Sequence, residues 1–177
     1  GPNNLMLMTS TARFGFGRTM PHAIGVVFGF PLMVFVISLG LGEAFSAFPL
    51  VKTVLKYLSA AYLVWLAWHL LSFRIGTVKP HERPLYSYEA ALFQWINPKG
   101  WAMAATFAAA FVVGGEGRLG SILWLTLLCL TLSPLSTLTW MVFGESLQAF
   151  LRRTGLERYL GAVLALLLFC AVILFFI

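Results

Sequence analysis

The chain has 177 residues, 60% of them hydrophobic and only 10% charged, with a formal net charge of +6 and a pI near 9.8. Soluble domains carry roughly 25% charged residues, so this composition excludes an ordinary soluble domain and predicts one integral membrane domain. The basic balance does not indicate a nucleic-acid partner, because the bases lie between apolar stretches and form no patch with interleaved aromatics.

A membrane-crossing helix needs about 20 mostly apolar residues. Residues 1–12 are uncharged and apolar after Asn4 and read as the end of a first helix that is truncated in this chain. Thr19 to Gly42 and Tyr57 to Phe73 contain no Asp, Glu, Lys or Arg. The stretch from Arg74 to Glu89 is polar and Pro-containing and is the longest loop. Ala90 to Gly115 holds one charge, Lys99, while Leu119 to Gly144 and Tyr159 to Ile177 hold none. Five full spans and one partial span predict an all-α membrane protein, a six-helix bundle arranged as three plus three. Its single transmembrane domain, 1–177, divides into a first repeat at 1–73, a cytoplasmic loop at 74–89 and a second repeat at 90–177. Cys129 and Cys170 fall within spans and are expected to be small buried hydrophobes, not a disulfide or a metal site.

Alternate loops separate the bases. Arg13, Arg18, Arg74, Lys79, Arg83, Arg152, Arg153 and Arg158 fall on one side, and Lys52, Lys56 and Arg118 on the other. The first side is expected to be cytoplasmic. Gly42 to Ala60 aligns with Gly144 to Ala162 at an offset of 102, with seven identities in nineteen positions. Three crossings separate the copies, so the second is expected to be inverted, the architecture that allows alternate opening to two sides.

Proline and asparagine recur inside the apolar segments. Pro2-Asn3-Asn4 lies in the first helix and Asn97-Pro98-Lys99 in the fourth; Pro31 and Pro134 lie in the middle of the second and fifth. Proline removes a backbone N–H and clashes with the preceding turn. In lipid the freed groups need partners within the protein, so broken helices belong beside a cavity. A half-helix N-terminus there suits a carboxylate. Pro2, Asn3, Asn4, Gln94, Asn97, Pro98 and Lys99 are therefore the expected substrate-binding residues. Lys99, an intramembrane charge costing about 2.5–3.5 kcal/mol on insertion scales, either meets a substrate carboxylate, or snorkels or pairs with a Glu from a neighbouring helix.

Pro31 and Pro134 are hinge candidates or ordinary packing kinks. Glu43 and Glu145 are gate candidates or helix-end acids facing water. Thr131, Ser133, Ser136, Thr137 and Thr139 either line the cavity or bond backbone carbonyls. Gly25, Gly29 and the alanines at 104, 105, 108 and 109 read as close-packing faces. Among His22, His69 and His81, His69 is the best placed to carry a proton. With no Asp, no Ser/His/Asp set, no phosphate loop and no metal cluster, the chain is not expected to be an enzyme or to need a cofactor.

The opening Gly-Pro-Asn-Asn, the segment Leu55-Lys56-Tyr57-Leu58-Ser59-Ala60-Ala61-Tyr62-Leu63-Val64-Trp65-Leu66-Ala67-Trp68 and the Asn97-Pro98-Lys99 motif together resemble the LysE/RhtB family of bacterial amino-acid exporters. Gln94-Trp95-Ile96-Asn97 and Leu166 to Val172 resemble its cysteine and O-acetylserine exporting branch. The resemblance implies a multi-pass protein of the bacterial inner membrane that exports small neutral amino acids such as cysteine, O-acetylserine or threonine. Proton antiport, without ATP, would drive it. The implied partners are the amino acid, protons and the bilayer, with homo-oligomerisation left open. The alternatives are a transporter of a metal ion or organic cation, which the absence of Asp disfavours, and a non-transport membrane subunit, which has no need of paired Asn-Pro breaks.

Overall fold

The computed structural model describes residues 2–41, 49–71 and 82–173. The elements are α1 (Pro2–Phe14), α2 (Phe16–Val36) continuing into a π-helical turn (Ile37–Leu41), α3 (Pro49–Leu71), α4 (Ser87–Ile96), α5 (Pro98–Phe111), α6 (Arg118–Arg153) and α7 (Leu160–Ile173), with 3-10 turns at Gly115–Gly117 and Glu157–Tyr159. Among the described residues there is no strand, as an all-α protein requires. Glu43, His81, Arg74 and Lys79 lie outside the described residues, as does the whole Gly42–Phe48 motif.

Among the described residues, three helical segments are long and apolar enough to cross a membrane by themselves: Phe16–Gly40, Thr53–Leu71 and Gly115–Arg153. The fourth expected span is divided at Asn97 into α4 and α5, the place where the Asn97-Pro98 pair predicts a break. Three further boundaries move. Helix α4 starts at Ser87, inside the expected 74–89 loop. Glu89 makes this start possible, because its Oε2 accepts from the Tyr86 N–H at 2.7 Å and so serves an orphan donor at the helix entrance. Helix α6 runs nine residues past Gly144 to Arg153, so Glu145 is an exposed residue within the helix and not at its end. The irregularity of α2 falls at Ile37–Leu41, where Gly40 has φ 132°, and not at the hinge candidate Pro31, which lies buried within regular helix. Pro134 likewise sits inside continuous α6.

The packing fixes helix directions. Helix α1 runs parallel to α6, with Pro2 near Ser133 and Met8 against Gly144. Helix α2 runs parallel to α4 and α5: Gly25 meets Ser87, Gly29 meets Ala91, and Met33 meets Gly100. Helices α2 and α6 are antiparallel, since Val26 clusters with Met141 while Ile37 clusters with Leu125. Helix α5 is consequently antiparallel to α1. The α3 and α7 pair closes one flank through Leu63, Leu70, Leu160, Leu164 and Leu168. The outward side chains of α2 and α6 (Phe28, Leu32, Leu123, Trp124, Leu135 and Val142) are apolar and exposed, as lipid contact demands.

Arg13, Arg18 and Arg83 gather at one end with the close of α6. Arg13 pairs with Glu82 at 2.7 Å, and Arg18 donates to the Glu82 carbonyl at 3.2 Å. Arg83 holds Glu89 through two hydrogen bonds of 2.6 and 2.8 Å. The hydrogen-bonded guanidinium lowers the Glu89 pKa to about 2, and the same bond pushes the Arg83 pKa further above its ordinary range. Because the folded value is depressed, the stabilising contribution is complete above the ordinary carboxylate range and is lost as pH falls through about 2. Protection of the first α4 turn in hydrogen exchange is thus expected to be constant between about pH 5 and 8 once intrinsic rates are removed, and to fall in Glu89→Gln.

Candidate functional site

The α4–α5 break is a satisfied elbow. Pro98 opens α5 without an N–H to offer α4. Asn97, in extended conformation (φ −76°, ψ 106°), ends one helix and caps the next: its N–H donates to the Phe93 carbonyl at 3.0 Å, and its Oδ1 accepts from the Lys99 N–H at 3.1 Å. The Trp101 indole N–H donates to the Trp95 carbonyl at 3.0 Å, and the Ser59 hydroxyl of α3 donates to the Ile96 carbonyl at 2.5 Å. Carbonyls released by the break therefore have donors inside the protein, the condition for an interrupted helix at membrane depth.

Beside the elbow lies a cavity of about 380 Å³. Pro2, Asn3 and Asn4 of α1, Asn97, and Lys99 of α5 all line it, so five of the seven residues named from the sequence converge here. Gln94 and Pro98 are not among the lining residues. Gln94 is fully buried behind the wall, donating from Nε2 to the Ala90 carbonyl at 2.9 Å and accepting the Asn3 amide at 2.6 Å. It acts on the cavity by holding Asn3. Asn3 Oδ1 is buried and makes no hydrogen bond, leaving an acceptor for a donor group. Lys99 is exposed, and its ammonium makes no ion pair with a described residue.

The other walls come from helical faces. Val26 and Phe30 of α2, Met103 and Phe107 of α5, and Cys129 and Ser133 of α6 recur at intervals of four. Ser136 and Thr137 also line the cavity, whereas the Thr131 and Thr139 hydroxyls bond carbonyls of their own helix, to Leu128 at 2.9 Å and Leu135 at 2.7 Å. Sequence reasoning gave Cys129 no role beyond packing. Its one signal was its position a helical turn before Ser133. Cys170 is exposed on α7.

Two apolar layers bound the site. Toward the basic end lie Leu7, Ala23, Val26 and Met141; toward the other end lie Met33, Val34, Ile37, Trp101 and Leu125. Beyond the first is a polar cavity of about 340 Å³, and beyond the second one of about 720 Å³ beside Gly40, Val112 and Arg118. The gate candidate Glu145 lines none of the three.

The family model described as "LysE type translocator" matches residues 1–177. A "Cysteine/O-acetylserine efflux protein" of Salmonella paratyphi A is 26% identical over 178 residues, covering 99% of this chain and 90% of that protein. Its namesake in Escherichia coli K12 is 28% identical with the same coverage. No solved structure matches.

Proposed function

The chain belongs to the LysE-type translocator family, and on that premise we propose that it exports small neutral amino acids from the cytoplasm across the bacterial inner membrane by proton antiport. The observation that carries this reading is the convergence of Asn3, Asn97, Lys99 and the N-terminus of α5 on one cavity between two apolar layers. A zwitterion meets complementary groups there. The Lys99 ammonium and the positive end of α5 face its carboxylate, with the Asn3 side chain beside its ammonium. Val26, Phe30, Met103 and Phe107 surround a small side chain, with Ser133 and Thr137 available to a polar one. The names of the relatives favour cysteine and O-acetylserine as cargo.

Alternation follows from an inverted repeat in which α1 corresponds to α4–α5, α2 to α6 and α3 to α7. Support comes from the packing: the parallel contact of α1 with α6 becomes that of α4–α5 with α2, while the α2–α6 and α3–α7 contacts map onto themselves. The cytoplasm-facing arrangement loosens the layer at Leu7 and Met141, and the outward one the layer at Ile37 and Leu125. Cargo drives nothing unless its affinity differs between the two.

Efflux from loaded vesicles, with a panel of amino acids and with or without a pH gradient, tests the reading. Gradient-dependent efflux of small neutral amino acids is expected, and the absence of efflux for the whole panel would sink it. The location of the cargo has a separate test in a Cys170→Ser background. O-acetylserine at ten times its Kd is expected to slow thiosulfonate labelling of Cys129 about tenfold. Labelling at an unchanged rate would place the cargo elsewhere.

A further inference from the structure

The polar cavity at the basic end contains an acid–base group that the reading above leaves unused. His22 of α2 is fully buried, the only His, Lys, Arg or carboxylate so placed among the described residues. Its Nδ1 lies 3.1 Å from the Ser10 hydroxyl of α1. Burying an ionisable ring in a membrane bundle is costly, so its presence calls for a role. The charged groups around the same cavity already serve one another: Arg13 of α1 pairs with Glu82, and Arg83 with Glu89 of α4. From α3 the cavity receives Tyr62 and His69. His69 is exposed, with Nδ1 3.0 Å from the Trp65 carbonyl and its ring against Trp65 at 4.4 Å. Arg18 lies on the exposed side of α2, and α6 presents the apolar Met141 to this region.

His22 also sits at the junction of two compartments. It shares a helical face with Val26 and Phe30, which line the central cavity, while His22 lines the basic-end cavity. One turn, about 5–6 Å of rise, separates them. The intervening material is the thin layer of Leu7, Ala23 and Met141.

We infer that His22 is the proton-carrying residue of the transport cycle, a role that rests on the export reading above. In the outward arrangement, with the Ile37–Leu125 layer loosened, the imidazole turns toward the central cavity one turn away and takes a proton that has entered it from the outer solution. With the basic-end cavity open, it gives that proton to water there. One N–H bond forms and the same one breaks, so a proton moves inward in exchange for cargo moving outward. The change of charge couples to structure through the Ser10 contact, because the ring bridges α1 and α2 where the layer must open.

The full-length protein in vesicles provides the test, with labelled cysteine under reducing conditions. Each coupled proton allows a one-unit pH difference to sustain about a tenfold concentration ratio. In His22→Asn, accumulation driven by the gradient is expected to collapse to the level seen without one, while cysteine–cysteine exchange at equal pH persists at a reduced rate. Retained gradient-driven accumulation would overturn the inference. If exchange is lost as well, Ser10→Ala decides. A displaced pH profile of transport supports the role, and a profile coincident with wild type overturns it. Wild-type protein without exchange or accumulation would instead overturn the export reading.

Discussion

Lys99→Met is expected to lower export at subsaturating cargo by about ten- to a hundredfold. That range corresponds to losing one charge-assisted hydrogen bond of about 1.5–3 kcal/mol. The side chain stands in the first turn of α5, at the cavity, with no ion pair to a described residue. An ammonium at this depth costs free energy to insert, and no acid of the described protein offsets it. On the export reading, the cargo carboxylate is its counter-charge. Lys99→Arg keeps the charge but spreads it over a larger planar group, so partial transport with a raised KM is expected. Vesicle efflux measured across cargo concentrations separates these results. Full transport by the Met variant would remove Lys99 from the site.

The second large effect is steric. A Cβ on Gly144 would overlap the Met8 carbonyl of α1, and backbone cannot rotate away as a side chain does. Gly144→Ala is therefore expected to destabilise the protein by about 1–3 kcal/mol through overpacking. Gly120 is the internal control, since it lies in the same helix and a Cβ there meets nothing within 4 Å. Gly120→Ala is expected to be neutral or stabilising, up to about 1 kcal/mol from helix propensity. Thermal unfolding of the two purified variants in detergent should move in opposite directions. A Gly144→Ala midpoint at or above wild type would show that α1 does not pack on α6 at this distance. Gly25 stands in the same relation to the Ser87 carbonyl, so α2 and α4 rest on an equally close approach.

The residues most legible in the sequence were those that break local rules. Asn97-Pro98 in an apolar run signalled a helix that stops and restarts, because proline withholds its N–H and asparagine caps. Lys99 and the amides at 3 and 4 stood out because lipid tolerates such groups only around a cavity. Gln94 was identified as polar and important, but an amide that lines a cavity and one that braces a lining residue have the same sequence signature; only the Asn3 contact distinguishes them. The continuation of α6 past Glu145 was hidden because hydropathy marks where the apolar stretch ends and not where the helix does. The start of α4 at Ser87 was hidden for the converse reason, since the Glu89 contact to Tyr86 looks like ordinary loop polarity. His22 ranked behind His69, and Cys129 read only as a packed small hydrophobe, because the chain does not show which of their neighbours at helical spacing face open space.

Ser59 extends the consequences of the elbow to the periphery. Its hydroxyl, fully buried, holds the last carbonyl of α4 from the outer pair of helices. That pair packs against the interior through an apolar cluster that includes Leu63, Leu70, Leu164 and Leu168. A directional bond at that point works like a crank pin: a lean of α3 and α7 against the surrounding lipid is delivered to one peptide, beside the elbow and its cavity. On the export reading, bilayer thickness and tension thereby have a mechanical route to the cavity.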